Sequence, residues 1–166
     1  MTYTQSVGIG VAATIVIVIG VAAFTKPTSP PTSANASQQT GALISDESST
    51  DFGTLSMAKG TASRSFTIRN TGTGPVTITK LYTSCMCTTA TLSLGGRDIG
   101  PFGMQGHGIV PSFKETIAAG EQGNVTVVFD PAAHGPAGVG NIARTVFIEN
   151  DAGQPLEFNF TARVIP

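Results

Sequence analysis

The sequence predicts an all-β protein, an antiparallel β-sandwich of about seven strands preceded by one N-terminal transmembrane helix. Three observations predict it. Short runs of alternating apolar and polar residues recur beyond position 51, each closed by Gly, Pro, Asn or Asp. No window there sustains a 3.6-residue apolar period. Ahead of these runs lies one long uncharged apolar stretch.

That stretch, residues 7–24 (VGIGVAATIVIVIGVAAF), spans about 27 Å as a helix, close to the hydrocarbon thickness of a bilayer. A cleaved signal peptide usually has a basic start and a shorter apolar core. Residues 1–6 contain no Lys or Arg, so residues 1–25 are read as a retained anchor. Lys26 alone flanks the segment, and taken literally the positive-inside rule puts the domain in the cytoplasm. Residues 26–50 (KPTSPPTSANASQQTGALISDESST) have no apolar periodicity. They are expected to form a disordered Pro/Ser/Thr-rich linker.

The expected strands follow in order over 51–57, 65–69, 76–82, 87–94, 124–130, 144–149 and 156–161. Ser65-Phe66-Thr67-Ile68-Arg69 alternates cleanly before the turn Asn70-Thr71-Gly72-Thr73-Gly74-Pro75. In 124–130 (NVTVVFD), Val125, Val127 and Phe129 share one face, and 156–161 (LEFNFT) alternates in the same way.

Composition narrows the function classes. A length of 166 residues leaves room for one domain. Nine basic against ten acidic side chains give a net charge of -1, which offers no clustered positive face for nucleic acid. Two cysteines exclude a multi-disulfide scaffold and a four-thiolate zinc site. The chain has no GxSxG elbow, no Walker loop and no His-Glu-x-x-His helix. Its module acids (Asp98, Glu115, Glu121, Asp130, Glu149, Asp151, Glu157) are scattered at turns and strand ends. No catalytic residue is assigned.

Residues 51–166 resemble a bacterial family, the domain of unknown function 1573. The features that carry the likeness are Asp51-Phe52-Gly53, the strand and turn from Phe66 to Gly72, and Ser84-Cys85-x-Cys87-Thr88. The Gly120-Glu121 turn and Phe129-Asp130-Pro131 complete it. The resemblance implies an immunoglobulin-like sandwich related to Hydin-type domains, no established activity, and an extracytoplasmic placement that outweighs Lys26. Two departures stand out. Met86 replaces the usual Gly between the cysteines, and residues 95–113 form a longer connection than the family's.

One constellation carries chemistry: Cys85 and Cys87, with Met104, His107 and His134 in glycine-rich loops, as tentative metal ligands. Thiolate and thioether suit Cu(I), and imidazole is an acceptable companion. In a strand, residues two apart face the same side with Cα atoms roughly 6.6 Å apart, so the two sulfurs would converge while Met86 packs into the opposite face. A Cys85–Cys87 disulfide would need a turn or bulge and would be strained and easily reduced. Inert buried thiols are the plain alternative. Loops 100–108 and 131–140 either supply positive φ to long connections or form a binding lip at one end of the sandwich.

The expected function is therefore a membrane-anchored, single-pass, extracytoplasmic module with a non-enzymatic binding or structural role and no cofactor. Its partners would be the membrane, through the N-terminal helix, and another protein meeting an edge strand; nucleic acid is excluded. The alternatives are a copper-handling protein and a redox-active Cys-x-Cys protein, both using Cys85 and Cys87.

Overall fold

The computed structural model describes residues 40–166. The expected transmembrane helix at 7–24 and most of the expected linker lie outside the described residues. Among the described residues no helix is long and apolar enough to cross a membrane.

Among the described residues ten strands form in chain order: β1 (Leu43–Ser45), β2 (Ser49–Ser56), β3 (Ala62–Asn70), β4 (Val76–Thr83), β5 (Thr88–Leu94), β6 (Arg97–Phe102), β7 (Glu115–Ile117), β8 (Gln122–Phe129), β9 (Gly140–Asn150) and β10 (Leu156–Ile165). Single 3-10 turns occupy Met57–Lys59 and Gly135–Gly138. One five-stranded sheet runs β1-β3-β8-β5-β6 and the other β2-β10-β9-β4-β7. This is an all-β sandwich, as expected, and the seven anticipated strands are all present within it.

Three expectations are corrected. The sheets are not wholly antiparallel, because β2 pairs parallel with β10 (Ser49 opposite Asn159, Ile165 opposite Ser56). The strand count is higher, since the short β1, β6 and β7 carry too few alternating apolar residues to show as periodicity. The domain also begins before residue 51. β1 and the start of β2 lie inside the stretch expected to be linker, and β1 pairs with β3 (Leu43 opposite Asn70). Partners distant in sequence hold this segment: Arg64 and Arg69 form ion pairs with Glu47 and Asp46 at 3.0 and 3.1 Å. Nothing within LISDESST itself encodes those contacts.

The core fills the space between the layers because alternation aims one face of each strand inward. Val125, Val127 and Phe129 of β8 oppose Phe158, Phe160 and Val164 of β10, all essentially buried. Phe66 stacks on Phe158 at 4.5 Å between centroids, and Phe160 packs edge-on against Phe52 and Phe129. Full burial of each such side chain contributes about 1.5–3 kcal/mol. In β4 the inward set changes phase, from Val76 and Ile78 to Leu81 and Thr83, across an irregularity between Ile78 and Lys80. That phase change turns Thr83 inward at the strand's end, where the cysteine segment begins.

One buried polar residue continues an apolar face. Asn70 follows Phe66 and Ile68 in phase and is fully buried. Its Oδ1 accepts from the Ala42 and Gly72 backbone N–H groups, and its Nδ2 donates to the Gly74 and Ile117 carbonyls, at 2.8–3.1 Å. The expected turn residue is therefore a clamp that ties β1, the 70–75 turn and β7 together.

Candidate functional site

The segment after β4 is a turn, not the strand in which the two cysteines were expected to lie. The Thr88 N–H donates to the Cys85 carbonyl at 3.1 Å, closing a four-residue turn. The Thr83 hydroxyl lies 2.9 Å from the Cys85 carbonyl and 3.0 Å from that of Thr88. Ser84 is pinned to β9: its N–H donates to the Thr145 carbonyl and its Oγ accepts from the Thr145 N–H, both at 2.9 Å. On the far side the Asp130 N–H donates to the Cys87 carbonyl at 2.8 Å.

The turn draws the two Cα atoms to 5.2 Å, within the roughly 4.4–6.8 Å that bridged cysteines occupy. Cys85 and Cys87 are joined as a disulfide. The cysteines are not free thiols in this state, and the turn supplies the local geometry that a bridge between them needs. Met86 was expected to pack into the sheet. At the apex of the turn it instead points outward, 52% exposed.

Both sulfurs are buried (residue exposures 7% and 3%), yet each has a nitrogen partner. His134 Nε2 stands 3.2 Å from Cys85 Sγ. The Arg144 Nε–H donates to Cys87 Sγ at 3.5 Å, and the Cys87 backbone N–H donates to Cys85 Sγ at 3.3 Å. The ligand atoms of Cys85, Cys87 and His134 all lie within 4.8 Å of one another. Among the described residues no other group of three or more His, Cys, Asp or Glu side chains could hold a metal ion.

His134 reaches the turn because the chain after β8 is tightly wound. Asp130 Oδ1 accepts from the Ala132 N–H at 2.8 Å, and the Gly135 N–H donates to the Ala132 carbonyl at 2.9 Å. The 3-10 turn then folds back so closely that a Cβ at Gly138 would stand 3.2 Å from His134 Cβ. An open groove of about 380 Å³ is lined by His134 and Arg144, the two side chains that reach the sulfurs, with Gly138, Val139 and Asn141 among others.

Of the five expected ligands, the structure brings together Cys85, Cys87 and His134. His107 is exposed and falls outside the group. Met104 is half-buried and held by a parallel bridge to Thr83, with the Thr83 N–H donating to the Gly103 carbonyl at 3.1 Å. The loops carrying the two histidines therefore flank the same turn, one through Gly103 and one through Asp130.

Arg144 went unread in the sequence, although a signal for it exists. It lies in phase with Val146 and Ile148, both buried, so alternation aims a guanidinium along the inward face of β9. A cation in that position calls for a buried electron-rich partner, and Cys87 Sγ is that partner.

Fold and site together define a two-sheet β-sandwich domain in which, among the described residues, one converging Cys/His cluster is built on a disulfide-closed Cys-x-Cys turn. Residues 43–95 match the model of the family described as protein of unknown function (DUF1573), so the kinship read from the sequence holds over that segment. No curated protein matches the chain. A crystal structure of a protein of unknown function from Porphyromonas gingivalis W83 superposes with a TM-score of 0.57 at 20% identity. The match covers 80% of this chain and 51% of that one, so this chain spans about half its length. A domain of a family 123 glycoside hydrolase from Clostridium perfringens gives 0.50 at 8% identity, over 71% of this chain and 23% of that one. The ASH/PapD-like domain 7 of human CEP192 gives 0.47 at 16% identity, over 84% and 92%. At these identities the likeness is one of fold.

Proposed function

We propose that this protein is a membrane-anchored, extracytoplasmic sandwich module with a non-enzymatic binding or structural role. The observation that carries the reading is the Cys85–Cys87 disulfide in a turn fixed on several sides. Disulfides persist in oxidising compartments and are rare where glutathione and thioredoxin keep thiols reduced. Residues 7–24, long enough to span a bilayer, are the anchor, and the disulfide favours the outer side of the cytoplasmic membrane over the side that Lys26 alone would choose. The contact surface is a sheet margin. β2 and β6 are the longer edge strands, and an edge offers backbone N–H and C=O groups for strand addition by a partner protein.

The test is made on the full chain in a bacterial host. Thiols are trapped in living cells with an alkylating reagent, and spheroplasts are exposed to protease. The expected outcome is a chain that sediments with membranes, resists alkylation until reduced, and loses its domain to external protease. Free thiols together with complete protease protection overturn the placement. Substrate turnover by the purified protein, abolished by a point change within the sandwich, overturns the non-enzymatic role.

A further inference from the structure

We propose that Cys85, Cys87 and His134 form a soft-metal site that reduction opens, with Arg144 as its counter-charge. In the dithiol form one Cu(I) ion is held by two thiolates and the His134 imidazole nitrogen. In the disulfide form the site is closed. The inference does not depend on the membrane placement proposed above.

Three features converge on it. The ligand atoms come from two separate loops and already lie within 4.8 Å of one another, which matches the span of two metal–ligand bonds of about 2.0–2.3 Å. The donor set, two thiolates and one imidazole, is soft, and soft sulfur ligands select Cu(I), together with zinc and iron–sulfur clusters, over hard cations. The third feature is charge. Two thiolates and one Cu(I) carry a net charge of -1 among buried groups, and the Arg144 guanidinium, with its Nε 3.5 Å from Cys87 Sγ, neutralises it. A buried charge without such a partner is costly. A role confined to packing needs neither the imidazole nor the guanidinium beside the sulfurs. Zinc held by the same three ligands would need water as its fourth, and here both sulfurs are buried.

Loading takes two steps. A dithiol reductant delivers two electrons and two protons to the Cys85–Cys87 bond and leaves as its own disulfide. Binding of Cu(I) then releases those two protons to solvent, leaving both sulfurs as thiolates. The open groove lined by His134 and Arg144 brings the ion to the two side chains that touch the sulfurs.

The experiment uses the full chain in detergent, fully reduced by a dithiol that is then removed without air. Cu(I) is titrated against a chromogenic chelator, and the oxidised protein serves as a control that needs no mutation. The reduced protein is expected to take up one equivalent and the oxidised protein none. X-ray absorption of the loaded protein should show two sulfur ligands and one nitrogen. His134→Ala should weaken binding by about tenfold or more and remove the nitrogen ligand. Arg144→Gln should weaken it by about tenfold with the ligand set unchanged, and His107→Ala should have no effect. Equal uptake by reduced and oxidised protein, unchanged affinity in His134→Ala, or preference of the reduced protein for Zn(II) over Cu(I) each overturns the proposal.

Discussion

His134 Nε2 lies 3.2 Å from Cys85 Sγ although 49 residues separate the two in the chain. β5 through β8 intervene, and the sandwich returns the end of β8 to the turn that leaves β4. The Asp130 N–H donating to the Cys87 carbonyl at 2.8 Å is the backbone expression of that return. A residue in a Gly/Pro-rich loop is thereby held against a buried sulfur.

The oxidation state of the turn is directly measurable. Intact protein should gain two daltons on reduction. Alkylation should add no group before reduction and two after it, as mass spectrometry of unfolded chains will show. Met86, exposed at the apex, should become the sulfoxide ahead of the half-buried Met57 and Met104 when mild peroxide treatment is followed by peptide mapping.

Asn70→Ala removes both ends of a fully buried amide that makes four hydrogen bonds. It leaves the Ala42 and Gly72 N–H groups and the Gly74 and Ile117 carbonyls without that partner. Each hydrogen bond is worth about 1 kcal/mol, and each buried orphan costs more, so a loss of about 2–4 kcal/mol is expected in denaturant unfolding. Asn70→Asp should also destabilise, since the carboxylate loses both donors.

Phe158→Ala should cost about 3–5 kcal/mol, because the ring is fully buried and stacked on Phe66 from the opposite sheet. Phe158→Leu retains much of the buried area and should cost clearly less. Equal costs would mean that the two layers do not meet at this ring.

Gly72→Ala tests the early start of the domain. A Cβ there would collide with the Thr40 carbonyl and lie 2.6 Å from the Ala42 nitrogen, both in the backbone leading into β1. Hydrogen exchange should show residues 42–45 losing protection while β8 and β10 keep theirs, together with a modest loss of stability.

The Asp151 carboxylate accepts from the Thr77 N–H at 2.8 Å, and this bond holds its pKa below the usual carboxylate value. A group with a lowered folded pKa stabilises the fold above its unfolded pKa, and the contribution is lost as pH falls through the folded value. The thermal midpoint should therefore drop as acid is added below the ordinary aspartate range. Asp151→Asn should remove that part of the dependence and lower the midpoint at neutral pH.

The sequence by itself determined the sandwich. Alternation in 65–69, 124–130 and 156–161 places Phe66, Ile68, Val125, Val127, Phe129, Phe158 and Phe160 on inward faces, and all of them are buried. Period two is a local property of the chain, so it is legible without coordinates. The two cysteines were legible as a site for the same reason, being two residues apart. Tertiary structure alone decided the rest. It chose His134 over His107, brought in Arg144, recruited β1 and β2 out of an apparent linker, and set β2 parallel to β10. Each of these depends on which distant segments the two sheets bring together, and long-range pairing leaves no period in the sequence that it joins.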